Sequence, residues 1–219
     1  MKNTYYTMTM LSGSSVNTTF DHLINITLQG LDEIDQLLSG VDAEEAIQKM
    51  KSMDIQGLLQ LLKDSHQLYL TKLLPEIEQS LAHLFQKHEN SVALLGLAVF
   101  FDDYKNKLIA HIKMEEERYF PYVERLLKIQ NGEILGEEAQ QILASQKSEQ
   151  FEEQHDSIET ELQKVVEKIK VISAESSNPM VFNVFINQAQ KFEFELRKHA
   201  LIEDLLLLEK VNKLEAYLA

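Results

Sequence analysis

Apolar residues recur at spacings of three and four over most of the chain after residue 53, a pattern typical of amphipathic helices. Helix-breaking residues interrupt this pattern in three clusters: Glu89-Asn90-Ser91, Asn131-Gly132-Glu133 with Gly136, and Ser176-Ser177-Asn178-Pro179. The stretches between the clusters predict four helices, over roughly Asp54–His88, Val92–Gln130, Glu137–Ser173 and Met180–Leu218. The pattern therefore predicts an all-α fold, an up-down-up-down four-helix bundle over residues 54–219.

Residues 1–53 have a weaker pattern. The stretch from Thr4 to Thr19 is rich in Thr, Ser and Asn, and short helices are predicted over Thr18–Gln29, Leu31–Leu38 and Asp42–Met53. We therefore predict that residues 1–53 form a separate small helical segment, to which the sequence assigns no role.

Two prolines fall inside predicted helices, Pro75 in the first and Pro121 in the second. A proline inside a helix removes one backbone hydrogen bond and clashes with the preceding turn. Each proline should therefore kink or locally widen its helix.

Four of the seven histidines fall one to each predicted helix: His66, His111, His155 and His199. Their sequence separations are 45, 44 and 44 residues. Residues on consecutive antiparallel helices lie at the same height only if the loop falls midway between them, and each breaker cluster lies at such a midpoint. The spacing therefore predicts one layer of histidines at mid-height of the bundle.

Two carboxylates add to this layer, because Glu115 and Glu203 each follow a layer histidine by four residues. Residues four apart share a helix face, and the second and fourth helices run in the same direction. Both carboxylates should therefore lie on the same side of the layer. Four imidazoles and two carboxylates inside a bundle suit two metal ions bridged by the carboxylates, whereas burying these groups without a metal would be costly.

Glu159 also follows a layer histidine, His155, by four residues, but on a helix of opposite direction. It should point to the other side of the layer. The sequence leaves three interpretations open: a metal ligand, a hydrogen-bond acceptor for an imidazole, or a solvated surface carboxylate.

The chain contains no cysteine, which excludes disulfides, zinc-thiolate sites, iron–sulfur ligation and thiol nucleophiles. A metal must be held by imidazole and carboxylate groups, and these ligand types do not decide among iron, manganese and zinc. Ferritin-like sites show Glu-x-x-His on two helices, whereas here only Glu152 and His155 have that spacing.

The amino-acid composition limits the possible fold classes and the possible classes of binding partner. With only 7 Gly and 3 Pro the chain has few turn-forming residues, which supports a helical fold. A net charge of −14, from 21 basic and 35 acidic residues, opposes binding to nucleic acid or to an anionic membrane surface.

The longest apolar run, Val92 to Phe101, has 10 residues and is too short to span a bilayer. It indicates a helix enclosed by protein or a homodimer contact. The stretch from Met1 to Gly13 lacks the apolar core of a secretory signal. We therefore expect a cytoplasmic protein.

Four segments resemble the hemerythrin-like di-iron proteins of the repair-of-iron-centres (RIC) family, over about residues 54–219. They are His66-Gln-Leu-Tyr-Leu-Thr-Lys-Leu-Leu-Pro75, His111-Ile-Lys-Met-Glu115-Glu116-Glu-Arg-Tyr-Phe120-Pro121, Glu-Gln-His155-Asp156 and His199-Ala-Leu-Ile-Glu203. The second segment is the most specific of the four.

The resemblance implies a hemerythrin-like bundle holding a non-haem di-iron centre with an oxo or hydroxo bridge. It assigns terminal ligands to His66, His111, His155 and His199, and bridging roles to Glu115 and Glu203. It implies a bacterial stress protein that protects or restores iron–sulfur clusters damaged by nitric oxide or peroxide, by supplying iron or by reacting with nitric oxide. Iron–sulfur client proteins, nitric oxide and oxygen are the implied partners, and no residue is assigned a catalytic role.

Three departures from the family pattern bear on this reading. The cysteine-bearing N-terminal domain found in part of the family has no counterpart in residues 1–53. The Phe-Pro pair that often follows the second His-x-x-x-Glu is replaced by Leu207-Leu208, which we expect to affect packing only. Oxygen-carrying hemerythrins have another histidine at the position of Glu159, so a reversible oxygen carrier is disfavoured.

Two alternatives to iron–sulfur repair remain. One is an oxygen or nitric oxide sensor that signals through residues 1–53, and the other is a metal-free structural bundle. Several further residues have simpler interpretations: His22 and His83 as solvated or core histidines, His88 as a loop-side polar residue, Glu116 and Glu117 as solvated carboxylates, Tyr69 and Tyr104 as core aromatics.

Overall fold

The computed structural model describes residues 43–87, 92–145, 156–175 and 180–219. The regular structure in these ranges is entirely helical, and they contain no strand. The predicted all-α class is confirmed. The α-helices are α1 (Ala43–Ser52), α2 (Ile55–Leu68), α3 (Leu74–Lys87), α4 (Val92–Met114), α5 (Phe120–Gln130), α6 (Gly136–Ser145), α7 (Asp156–Glu175), α8 (Met180–Ile202) and α9 (Leu208–Leu218).

Three short π-helical turns join α-helices end to end without a loop. They are π1 (Tyr69–Leu73) between α2 and α3, π2 (Glu115–Tyr119) between α4 and α5, and π3 (Glu203–Leu207) between α8 and α9. Three of the four predicted helices are thus continuous. The third comprises α6 and α7, and residues 146–155 between them lie outside the described part of the chain.

The prolines behave as predicted, because Pro75 and Pro121 each lie two residues after the end of a π turn. In each turn the closing backbone bond spans five residues, with Leu74 donating to Tyr69 and Phe120 donating to Glu115. The helices are therefore widened before each proline. The third turn is closed in the same way by Leu208 and Glu203, although no proline follows it there.

The turn after α5 has the hydrogen bonds of a Schellman motif. Gly132 N–H donates to the Ile129 carbonyl at 3.0 Å, and Glu133 N–H donates to the Lys128 carbonyl at 2.9 Å. Gly132 has φ of 75°, a left-handed conformation in which glycine avoids the strain of a side chain. The breaker cluster at residues 131–133 thus ends the helix as predicted.

At one end of the molecule, the helices α3, α4, α7 and α8 form a closed ring of contacts. α7 packs against both α4 and α8, and α3 packs against the same two helices. At the other end, α2 packs against π3 and α8, while α5 packs against α9 and α6.

The buried apolar residues form two main clusters, one on each side of the histidines. We call the first the distal core, and it contains residues of π1, α3, α4, α7 and α8, from Tyr69 to Leu196. The second, the proximal core, contains residues of α2, π2, α5, α6, the end of α8, π3 and α9, from Leu58 to Leu214. Three long helical stretches each contribute residues to both cores. The change from one core to the other falls near the histidine of that stretch: His66, His111 or His199.

Helix α1 occupies most of the helix predicted over residues 42–53. Met50 and Met53 pack against the proximal core, and Lys210 Nζ donates to the Lys51 carbonyl at 3.3 Å. The independence of residues 1–53 stays a prediction, since residues 1–42 lie outside the described ranges.

The residues that the structure describes do not fully enclose the start of α4. Leu94, Leu97 and Phe101 are buried, but Val92 and Val99 are 83% and 66% exposed. Both alternatives, a helix enclosed by protein and a homodimer contact, therefore stay predictions. Among the described residues, no helix combines the length and apolarity that a membrane crossing requires.

Candidate metal centre

Three side chains from three separate elements meet in the interior. His66 comes from α2, Glu115 from π2 and His199 from α8, and none of them is more than 6% exposed. His66 Nε2 lies 3.0 Å from Glu115 Oε2 and 3.2 Å from His199 Nε2. All three offer a donor atom within 4.8 Å of the others, so this group could hold a metal ion.

Two further predicted residues join this group through their own helices. His111 Nε2 lies 2.7 Å from Glu115 Oε1, and His199 Nε2 lies 3.6 Å from Glu203 Oε2. Both pairs are four residues apart, as the sequence spacing required. Glu115 and Glu203 each begin a π turn, so each pair ends where the regular α-helix ends.

The Glu115 carboxylate faces two imidazoles at once. Its Oε1 is directed at His111 and its Oε2 at His66, and its side chain is only 1% exposed. A buried carboxylate whose two oxygens face different imidazoles is placed to act as a metal ligand.

Aromatic rings fix the two buried imidazoles. Phe120 stacks on His66 with ring centroids 5.6 Å apart and planes 9° from parallel. Tyr69 meets His199 edge-on at 5.7 Å, and its hydroxyl donates to the Glu195 carbonyl at 2.8 Å. Buried aromatic contacts of this kind hold rings in position.

Glu116 contacts the other side of His66, which the sequence did not predict. Its Oε1 lies 2.9 Å from His66 Nδ1, although the side chain is 36% exposed. Glu116 and Glu117 follow Glu115 in an unbroken run of glutamates, and nothing in that run indicates that Glu116 would reach a histidine on another helix. Glu116 is therefore partly solvated and also contacts His66, while Glu117 is exposed as predicted.

The surroundings shift two pKa values. Burial alone would lower the pKa of His66, but the carboxylates of Glu115 and Glu116 raise it above its usual value. Burial and the carboxylate of Glu203 raise the pKa of Tyr119, so its hydroxyl stays protonated. The interior at this level therefore favours a positive charge beside the carboxylates.

The donor set fits a metal that accepts nitrogen and oxygen ligands. Two imidazoles and a carboxylate suit iron, manganese or zinc, and their burial keeps competing water away. Buried charges of this kind are usually paired or bound to metal. The residues present therefore fit the metal that the sequence predicts, while its identity and number are not fixed by these contacts.

The structure tests the predictions for some of the remaining candidate residues, and the others lie outside the described part of the chain. His83 is exposed, and Tyr69 and Tyr104 are buried as predicted. His22, His88 and His155 lie outside the described residues, as does the side chain of Glu159 within α7. His155 as a ligand and the three interpretations of Glu159 stay predictions.

Comparisons of this chain with protein-family models, curated proteins and solved structures found no match. The RIC family assignment stays a prediction from the four segments that carry the resemblance.

Proposed function

We propose that this chain is a four-helix bundle with a non-haem di-iron centre, and that it protects or restores iron–sulfur clusters under nitrosative or oxidative stress. One observation carries the proposal: His66 Nε2 lies 3.0 Å from Glu115 Oε2 and 3.2 Å from His199 Nε2 in the interior. Three donors from three elements converge where two apolar cores leave a polar layer between them.

The bundle is supported by the order of helix contacts, in which α3, α8, α7 and α4 follow one another and α4 returns to α3. Equal spacing of the four histidines gives the same arrangement from the sequence. In this bundle His155 would enter the layer from the stretch that precedes α7.

The ligand set would comprise the imidazoles of His66, His111, His155 and His199, with Glu115 and Glu203 as bridges. Glu115 supports this role because its two oxygens face two different histidines. When bound, two iron ions would supply one-electron redox chemistry and a site of reaction with nitric oxide or oxygen.

The chain's own residues would hold these ligands and exclude water. Phe120 and Tyr69 pack on the two imidazoles that are most buried, and the Tyr69 hydroxyl ties its ring to α8. Because the chain has no cysteine, it has no thiol of its own to accept iron, sulfur or a nitrosyl group. Restoring a cluster would therefore use thiols of the client or of another protein, and this chain would contribute by supplying iron or by reacting with nitric oxide. We also propose a cytoplasmic location, as such clients require.

Metal analysis tests the metal centre directly. We expect protein produced in iron-replete medium to contain close to two iron ions per chain, and a His111→Ala/His199→Ala double variant to lose most of it. His83→Ala is the matched control, because His83 is exposed on α3 and should leave the iron content unchanged. Full iron retention in the double variant, or substoichiometric iron in the unaltered protein, would contradict the proposal.

Optical and Mössbauer spectra before and after nitric oxide then test the chemistry. We expect an antiferromagnetically coupled iron pair whose spectrum changes with nitric oxide. Restoration of activity in a nitric oxide-damaged iron–sulfur enzyme, by iron-loaded but not by iron-free protein, tests the repair role. Iron binding without such restoration would contradict the repair role alone.

One observation favours a second candidate, an oxygen or nitric oxide sensor. Met50 of α1 packs against Leu205, two residues after Glu203, so the N-terminal segment contacts the turn that carries a proposed bridge. The sensor is supported if removing residues 1–42 abolishes binding to a partner protein while nitric oxide reaction and cluster restoration persist. It is contradicted if the truncated chain loses restoration and no partner binds the full chain.

A further inference from the structure

The imidazole of His66 is contacted at both nitrogens by consecutive residues of one element. Glu115 Oε2 lies 3.0 Å from Nε2, and Glu116 Oε1 lies 2.9 Å from Nδ1. Both glutamates belong to π2, whereas His66 is on α2. One segment thus contacts both nitrogens of an imidazole that a different helix carries.

We propose that Glu116 is a positioning residue for His66, which accepts the Nδ1–H of the ring and so directs the Nε2 lone pair towards the metal. This inference rests on the proposed function, because it assigns the role of Glu116 through the metal centre. Glu116 itself does not touch the metal in this assignment.

Contacts restrict the His66 ring at one face and at both nitrogens. Phe120 covers one face of the imidazole, at 5.6 Å between centroids and 9° between planes. His199 lies 3.2 Å from Nε2, and Glu116 accepts at the opposite nitrogen. With the proton held at Nδ1, the nitrogen nearest Glu115 and His199 is the one left to bind a metal. A carboxylate partner also raises the basicity of a ligating imidazole, and loss of such partners typically lowers metal affinity.

The partial exposure of Glu116 makes the proposal testable without disturbing the core. The carboxylate can be altered without creating a large cavity, since about a third of the side chain already meets solvent. Glu117 is the next residue in the same turn and is exposed. The Glu117→Gln variant therefore matches the charge change of Glu116→Gln without touching His66.

The first measurement is zinc affinity by chelator competition, with zinc chosen because it is diamagnetic. We expect Glu116→Ala to bind about 10- to 100-fold more weakly than the unaltered protein, the usual effect of losing such a partner. Glu116→Gln keeps an oxygen that can accept from Nδ1–H, so we expect an intermediate affinity. Glu117→Gln should bind as the unaltered protein does.

The second measurement is independent of metal. Long-range proton–nitrogen NMR correlations of the metal-free protein should show a protected Nδ1–H on His66 that persists in Glu117→Gln and is lost in Glu116→Ala. The melting temperature of each metal-free variant is recorded as well. A fall in melting temperature with an unchanged Nδ1–H signal would show a merely structural role and overturn the proposal.

The outcomes separate this inference from the proposed function. Absence of zinc and iron binding in the unaltered protein contradicts the metal centre, and the Nδ1–H signals then still decide whether Glu116 orients the ring. Strong binding that Glu116→Ala leaves unchanged, or that Glu117→Gln weakens equally, overturns the role of Glu116 and leaves the metal centre intact.

Discussion

Tyr69 shows how a single residue serves both packing and the site. Its ring lies in the distal core and meets Phe192 and His199 edge-on, while its hydroxyl donates to the Glu195 carbonyl. The helix spacing from His66 placed Tyr69 on an inward face, and burial confirms this. The hydroxyl partner depends on the backbone of α8, which the sequence of the first helix cannot reveal.

We expect Tyr69→Phe to lower the free energy of unfolding by about 0.5–1.5 kcal/mol, because the hydrogen bond from the Tyr69 hydroxyl to the Glu195 carbonyl is lost. The ring contact with His199 is kept, so metal content should not change. Urea denaturation with metal analysis measures both. Tyr217→Phe is the control, since Tyr217 is 78% exposed and should tolerate the change. Equal stability of Tyr69→Phe and the unaltered protein would contradict this role for the hydroxyl.

Glu116 contacts His66 and Glu117 does not, a difference that the sequence alone could not predict. Both belong to the same run of glutamates in the sequence, and only the three-dimensional position of His66 distinguishes them. Glu115 was predictable because its partner His111 is four residues away on the same helix. The contact of Glu116 is between helices and leaves no periodic signal.

At the scale of elements, the three π turns join the helices next to the residues of the candidate site. Two of them precede a proline, whose effect on a helix is visible in the sequence. The third, at Glu203–Leu207, has Leu208 and Glu209 after it and gives no such signal. Both π2 and π3 begin at the glutamate of a His-x-x-x-Glu pair, whereas π1 precedes Pro75 and contains no glutamate, so neither residue type accounts for all three turns. Single π turns inside α-helices are often found at functional sites.

Two glycines allow a matched test of how helices end. Gly132 adopts φ of 75° at the end of α5, whereas Gly96 lies inside α4, and an added methyl group meets no atom within 4 Å at either position. We expect Gly132→Ala to cost about 1–2 kcal/mol through backbone strain alone.

Gly96→Ala should instead stabilise the protein by about 0.4–1 kcal/mol, because alanine loses less backbone entropy in a helix. Thermal unfolding of both variants measures the difference. A Gly132→Ala variant that melts no lower than the unaltered protein would contradict the left-handed turn at Gly132.

At the scale of the whole molecule, apolar periodicity and the breaker clusters predicted the all-α class and the bounds of three of the four long helical stretches. The histidine spacing also predicted that His66, Glu115 and His199 lie close together, as the structure shows. The separation of the apolar residues into two cores was not foreseen, because hydrophobic periodicity shows which face is buried and does not show with which neighbours. Likewise, spacing gave no sign that His111 would be more accessible than His66.

A metal that binds only the folded chain must raise its stability. At a free metal concentration of one hundred times the Kd, the gain is about 2.7 kcal/mol. For a chain of this size we expect the melting temperature to rise by about 5–10 °C. Calorimetry with ferrous iron under anaerobic conditions measures this, with magnesium as the ionic control and His66→Ala as the variant that should not respond. A melting temperature insensitive to iron and to chelators would favour the metal-free structural bundle.

The polar layer between the distal and proximal cores has a consequence for how this sequence can vary. A core residue such as Leu97 shares its packing neighbours with others on its own side of the layer, and Leu126 does likewise on the opposite side. Substitutions that share no neighbours combine additively in their effects on stability. Each half of the interior can therefore accumulate changes that need compensation only within that half. The histidines and glutamates between them are the positions that both halves must keep in common.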